Sequence, residues 1–126
     1  PRDMENGTVE IARRDTLEKK TCPIGEAVEK VVSLMEEIQY HIYNKALEFR
    51  KANTYTTDSY REFQEILDKG GFIMAHWDGT SETEDRIKDE TKATIRCIPF
   101  DAPEEDGKCI LTGSPSKRRV LFARAY

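Results

Sequence analysis

The stretch Phe72-Ile73-Met74-Ala75-His76-Trp77-Asp78-Gly79-Thr80-Ser81-Glu82-Thr83-Glu84 carries three structural signals in thirteen residues. Residues 72–77 are a short, mostly apolar run of strand type, and Asp78-Gly79 suits a turn. Ser81 and Glu84 stand at capping-box spacing, opening a charged helix that runs to about Thr91. The same punctuation recurs upstream. Tyr60, Phe63, Ile66 and Leu67 mark a helix, with Ser59 and Glu62 at its start and Gly70-Gly71 at its end. Downstream, 94–98 reads as a strand, 109–111 as another and 119–125 as a last one, with 113–116 as a turn between them. These elements predict an α+β fold in which a small mixed β-sheet packs with helices.

Before this domain, Ile24, Val28, Val31, Met35, Ile38, Ile42, Ala46 and Phe49 recur at steps of three and four. That period predicts a long amphipathic helix ending near Asn53, with Pro23 compatible with its first turn. Further upstream, Val9 and Ile11 alternate with Glu10 after an Asn6-Gly7 pair, which reads as a turn followed by a hairpin strand. One strand cannot make a sheet, so the segment up to about Lys20 is expected to pair elsewhere, as the last strand of a neighbouring domain. Opening on Pro1 rather than Met, the chain reads as a piece excised from a longer protein.

Composition bounds the function. The chain has 126 residues, 37% hydrophobic and 35% charged, with 20 Lys and Arg against 24 Asp and Glu for a net charge of −4. Mean hydropathy is −0.71. This is one modest domain, or one plus a fragment, too small for a large enzyme with its own cofactor domain. No stretch approaches the roughly 18 apolar residues of a membrane span. No secretory signal is visible, so the expected location is cytoplasmic. The acidic balance argues against a general nucleic-acid coat. Local charge differs, because Asp101, Glu104, Glu105 and Asp106 precede Lys117, Arg118, Arg119 and Arg124; such runs read as solvated surface.

Catalytic constellations are absent. His41 in the long helix and His76 in a strand have no nucleophile or carboxylate set around them, and read as a half-buried helix residue and a hydrogen-bonded strand residue. The glycines form neither a phosphate-cradling loop nor a dinucleotide fingerprint. Cys22, Cys97 and Cys109 contain no C-x-x-C pair and no disulfide framework, and the alternation of 94–98 predicts Cys97 to be a buried thiol.

Several separate motifs carry a resemblance that composition does not. Residues 1–7 (PRDMENG), 12–15 (ARRD), 75–77 (AHW), 93–100 (ATIRCIPF), 107–109 (GKC) and 117–126 (KRRVLFARAY) resemble prolyl-tRNA synthetase, in its archaeal and eukaryotic-like form with an extra C-terminal domain. The similarity runs over essentially the whole chain. It implies that 1–20 is the tail of an α/β anticodon-binding domain, 21–54 a connecting long helix and 55–126 the C-terminal α+β domain. The parent would be a class II aminoacyl-tRNA synthetase, a ligase joining proline to tRNA(Pro) with ATP and Mg, and a homodimer. Its catalytic domain would lie upstream: Phe49-Arg50-Lys51-Ala52 does not complete the F-R-x-E motif of class II enzymes, and no cofactor is expected on this chain.

Site residues follow from the same resemblance. Arg2 and Asp3 match the family's strand facing the anticodon, where a guanidinium and a carboxylate suit guanine. Lys19 and Lys20 are secondary candidates for RNA phosphate. The terminal Tyr126 matches a residue that the family brings back toward the aminoacylation site. Many relatives hold zinc on four cysteines, and the flanking residues align those positions with Asp78, Thr83, Cys109 and Thr112. Only Cys109 is a cysteine, so the zinc site reads as lost and Asp78-Gly79 as an ordinary turn. A function of another class is a protein-protein interaction or dimerisation module docking through the long helix.

Overall fold

The computed structural model describes residues 2–125, and side chains from residue 4 onward. The chain is mixed α and β and divides into two compact units, residues 1–50 and 51–126. No helix among the described residues is long and apolar enough to cross a membrane.

In the first unit, a four-residue helical turn, α1 (Arg2–Glu5), is ended by Gly7 at φ 63°. Asn6-Gly7 therefore closes a helix rather than a hairpin: the Gly7 amide donates back to the Met4 carbonyl, and the left-handed φ of Gly7 turns the following chain out of the helix. The hairpin lies further on. Strand β1 (Thr8–Ala12) pairs antiparallel with β2 (Lys19–Pro23), Val9 opposite Cys22 and Ile11 opposite Lys20, so the predicted strand finds its partner within the chain. A 3-10 turn (Ile24–Glu26) then leads into α2 (Ala27–Ala52).

The long helix forms as its period predicts, yet none of its side chains is buried. Val28, Val31, Met35 and Ile42 are exposed, and the half-buried line runs instead through Ala27, Leu34, Ile38 and His41. The helix is fastened to its hairpin by charge. Asp15, almost wholly covered, receives the Arg13 guanidinium at 2.8 Å and lies 2.7 Å from His41 Nδ1, while Arg13 also reaches Glu37 at 3.1 Å. The Arg13 hydrogen bonds, with a smaller share from the one shared with His41, hold the Asp15 carboxyl far below the usual carboxylate range.

The second unit contains the core. Strand β3 (Thr54–Thr56), helix α3 (Tyr60–Lys69) and strand β4 (Phe72–His76) form a parallel crossover; α4 (Ser81–Thr91) and β5 (Ala93–Cys97) follow. A two-residue ladder joins β6 (Gly107–Lys108) to β7 (Pro115–Ser116), and β8 (Arg119–Arg124) ends the described fold. The sheet order is β3-β4-β8-β5, so the last strand pairs antiparallel with both β4 and β5. Its register sets Phe122 opposite Ile73 and Val120 opposite Ala75, four buried residues on one face. Phe63, Ile66 and Leu67 of α3 and Ile87 of α4 cover that face. Phe63 and Phe122 meet edge to face with centroids 5.3 Å apart.

Both predicted caps form, one with a shift. Ser59 accepts from the Glu62 amide and α3 ends at Gly70 with φ 86°. The cap of α4 is Thr80 rather than Ser81, accepting from the Thr83 amide, because Asp78 Oδ1 already fixes the Thr80 amide and hydroxyl. Residues 109–111 are a turn rather than a strand, pinned by the Ile110 amide on the His76 carbonyl and the Gly113 amide on the Cys109 carbonyl. Cys97 is exposed, contrary to the alternation: β5 slips register between Ile95 and Cys97, and the bulge turns the thiol outward. Cys22 and Cys109 are buried and all three thiols are free.

Replacing Phe63 by Ala removes the helix side of the aromatic contact and should cost about 3–5 kcal/mol. Val28→Ala, on the exposed face of α2, should change stability by less than about 0.5 kcal/mol. Urea denaturation of the two variants beside the unaltered chain checks both values.

Candidate functional site

The four family-implied metal positions fall at the end of β4, in the first turn of α4 and in the loop between β6 and β7. Two of them, Thr83 and Thr112, converge on the carboxylate of a third, Asp78. Asp78 Oδ2 accepts from Thr83 Oγ1 at 2.8 Å and from Thr112 Oγ1 at 2.8 Å. Asp78 Oδ1 accepts from the Thr80 amide at 3.2 Å and lies 2.9 Å from Thr80 Oγ1. Burial alone would raise the Asp78 carboxyl, but these donors outweigh it and lower it to about 2. The Trp77 indole donates to the Thr80 carbonyl at 3.0 Å, closing the same turn. Asp78-Gly79 is thus more than the ordinary turn its sequence predicts.

These residues do not fit zinc. Structural zinc takes four N or S ligands as a rule. Here one thiol, Cys109, accompanies one carboxylate and two threonine hydroxyls, and both hydroxyl protons are spent on that carboxylate. A neutral hydroxyl is a poor zinc ligand, and the four positions offer nothing to make up the set.

A second polar cluster surrounds Arg119, a residue that sequence reasoning left on the solvated surface. Its guanidinium pairs with Asp58 at 2.8 Å and Glu105 at 3.1 Å, and donates to the Thr57 carbonyl at 3.2 Å. The Thr57 hydroxyl donates to Glu62 and accepts from the Ser59 amide, tying the cluster to the cap of α3. Neighbours repeat the pattern: Lys117 pairs with Asp106 at 2.7 Å and Arg118 with Glu104 at 3.8 Å. The acidic loop and the basic run therefore neutralise one another. Their adjacency with opposite sign was the available signal.

His76 sits beneath this belt, buried at the floor of an open hollow of about 650 Å³ that Asp58, Glu105, Lys108 and Arg119 also line. The Ser116 hydroxyl donates to the Arg118 carbonyl at 3.0 Å, so it accepts from His76 Nδ1–H at 3.1 Å. Nε2 is left without a hydrogen-bond partner among the described residues, 3.7 Å from Glu105 Oε1 and beyond hydrogen-bond reach. Gly107 packs on the ring so closely that a Cβ there would overlap Nε2. The predicted hydrogen-bonded strand histidine is found; the hydroxyl bonded to it, that of Ser116, is buried and its proton is given to the Arg118 carbonyl.

Arg2 and Asp3 belong to α1 rather than a strand, and their side chains lie outside the described residues, as does Tyr126. Lys19 pairs with Glu10 at 3.0 Å. No group of three or more His, Cys, Asp or Glu among the described residues is arranged to hold a metal ion.

Two outcomes follow from this geometry. Gly107→Ala should destabilise the chain by about 1–3 kcal/mol, and the loss should shrink when His76→Ala removes the ring it strikes. Thermal melts of the double-mutant cycle measure this. Asp58, Asp78 and Glu105 all have lowered carboxyls, the first and last mainly through Arg119. Their contribution is complete above the ordinary carboxylate range, from about pH 5, and falls away as the pH drops through their lowered values, so acid unfolding followed by circular dichroism should begin below about pH 5.

Comparison with known proteins agrees with the resemblance at the level of the family, without bearing on the archaeal and eukaryotic-like form. The family model "Prolyl-tRNA synthetase, C-terminal" matches residues 60–126. A proline–tRNA ligase of Phocaeicola vulgatus is 62% identical over 99% of this chain and 26% of its own length. Those of Porphyromonas gingivalis and Cytophaga hutchinsonii are 61% and 59% identical, over 99% of this chain and 25% and 26% of their lengths. The chain thus spans about a quarter of the relatives it matches. On these matches, the chain belongs to the prolyl-tRNA synthetase family, as its C-terminal part.

Proposed function

We propose that this chain serves an ATP- and Mg-dependent, cytoplasmic, homodimeric proline–tRNA ligase of the form with an extra C-terminal domain, helping to position tRNA(Pro) and order the active-site region while carrying no catalysis itself. The observation that carries this reading is identity near 60% along essentially the whole chain to proteins named proline–tRNA ligase.

In this reading residues 1–20 are the tail of the anticodon-binding domain, 21–54 the connecting helix and 55–126 the C-terminal domain. The first unit supports it physically. Cys22 is its one buried residue among those described, and a lone hairpin with one long helix is marginal by itself. The exposed apolar residues of α2 then face the rest of the anticodon-binding domain. The same exposure favours a second reading, in which α2 docks on a partner protein or a second copy; light scattering of the isolated chain separates a monomer from that dimer.

Arg2 and Asp3 read guanine in the anticodon, the guanidinium toward O6 and N7 and the carboxylate toward N1 and N2. Tyr126 returns its carboxylate toward the aminoacylation site. In the full-length ligase, Arg2→Ala or Asp3→Ala should raise KM for tRNA about 5- to 150-fold, the equivalent of 1–3 kcal/mol per base contact, with proline activation nearly unchanged. Equal loss in both assays would contradict base reading. Deleting Tyr126 should lower turnover with little change in Tm, and loss of Tm alone would contradict the active-site role. The isolated chain should give no ATP–pyrophosphate exchange.

A further inference from the structure

We infer that Asp78 is an ion-free cross-link, a carboxylate that does with hydrogen bonds in this chain what a metal would do at the same four positions. The four positions bring together segments far apart in sequence, with Thr112 lying 34 residues beyond Asp78. Without a tie, the loop between β6 and β7 would rest on a two-residue ladder and a few backbone bonds. Asp78 supplies the tie. Its Oδ2 takes the Thr83 and Thr112 hydroxyls and its Oδ1 takes the Thr80 amide, so one side chain joins the end of β4, the cap of α4 and the distant loop.

The chemistry of the hub also excludes the metal it replaces. A zinc ion would have to displace the hydroxyl protons that now saturate Oδ2, and would gain in return one thiolate, one carboxylate and two neutral hydroxyls. An ionised carboxylate, by contrast, accepts several bonds at once, and charge-assisted bonds of this length are the stronger class. Each threonine keeps a further role: Thr112 Oγ1 accepts from the Ser114 amide and Thr80 Oγ1 from the Thr83 amide. The hub is therefore continuous with the two turns it joins.

The test compares the chain as it stands with three variants. The unaltered chain should carry no stoichiometric zinc by inductively coupled plasma mass spectrometry, and its Tm should not move with EDTA. Asp78→Asn, which swaps one acceptor oxygen for a donor and removes the charge, should lower Tm by roughly 5 °C or more. Thr112→Val changes only an exposed hydroxyl for a methyl of similar shape, so it keeps the proposal testable if Asp78→Asn does not fold; it should also melt lower. The combined D78C/T83C/T112C variant, joined by Cys109, should bind one Co²⁺ with thiolate charge-transfer absorption and gain Tm on adding zinc. One zinc per unaltered chain, a wild-type Tm in Thr112→Val, or no cobalt spectrum from a folded D78C/T83C/T112C variant would each overturn the inference.

Discussion

The edge-to-face contact between Phe63 and Phe122 is the point on which the second unit depends. Phe122 belongs to the last strand in sequence, and that strand sits between β4 and β5. Neither neighbour can complete its ladder until β8 arrives, so the sheet and the helical layer close in a single event. The helices have no other deep target. Phe63, Ile66 and Leu67 from one and Ile87 from the other converge on the face that Phe122, Val120, Ile73 and Ala75 make together.

Two polar ties finish what the core begins. Arg119 leaves β8 just before Val120 and gathers Asp58, Glu105 and the Thr57 carbonyl, fixing the start of α3 and the acidic loop to the central strand. Asp78, two residues past His76 at the same end of the sheet, gathers the cap of α4 and the loop at Thr112. Each is a charged group at the rim rather than in the core, and each spends its capacity on several partners. Such multiply bonded charges stabilise where an isolated surface pair would contribute little. The first unit uses the same device at Asp15, where Arg13 and His41 join hairpin to helix in the absence of a core.

What the sequence disclosed was local. Ser59 and Gly70 bound α3 because a cap and a left-handed glycine act within four residues of themselves. The start of α4 slipped by one residue because Thr80 and Ser81 are both competent caps, and the choice is made by Asp78. β3 is invisible as a strand: three residues, 54–56, have strand form only because β4 lies parallel beside them. Cys97 depends on a bulge, which alternation does not reveal. The candidate site divides the same way. The resemblance pointed to Asp78, Thr83, Cys109 and Thr112, and hydrogen bonds join the side chains of the first, second and fourth, one of them across 34 residues of sequence. Arg119 went unnoticed although acidic 101–106 and basic 117–124 invite pairing, because charge runs carry no register.

The final strand thus closes a single cooperative core in the second unit, whereas the long helix of the first buries none of its side chains. Native-state hydrogen–deuterium exchange tests this most directly, because it reads the opening of each element separately. The amides of β4, β5 and β8 should exchange together in the slowest class, with those of α2 in a faster one. Exchange of β8 ahead of β4 and β5, or protection of α2 equal to theirs in the isolated chain, would contradict it.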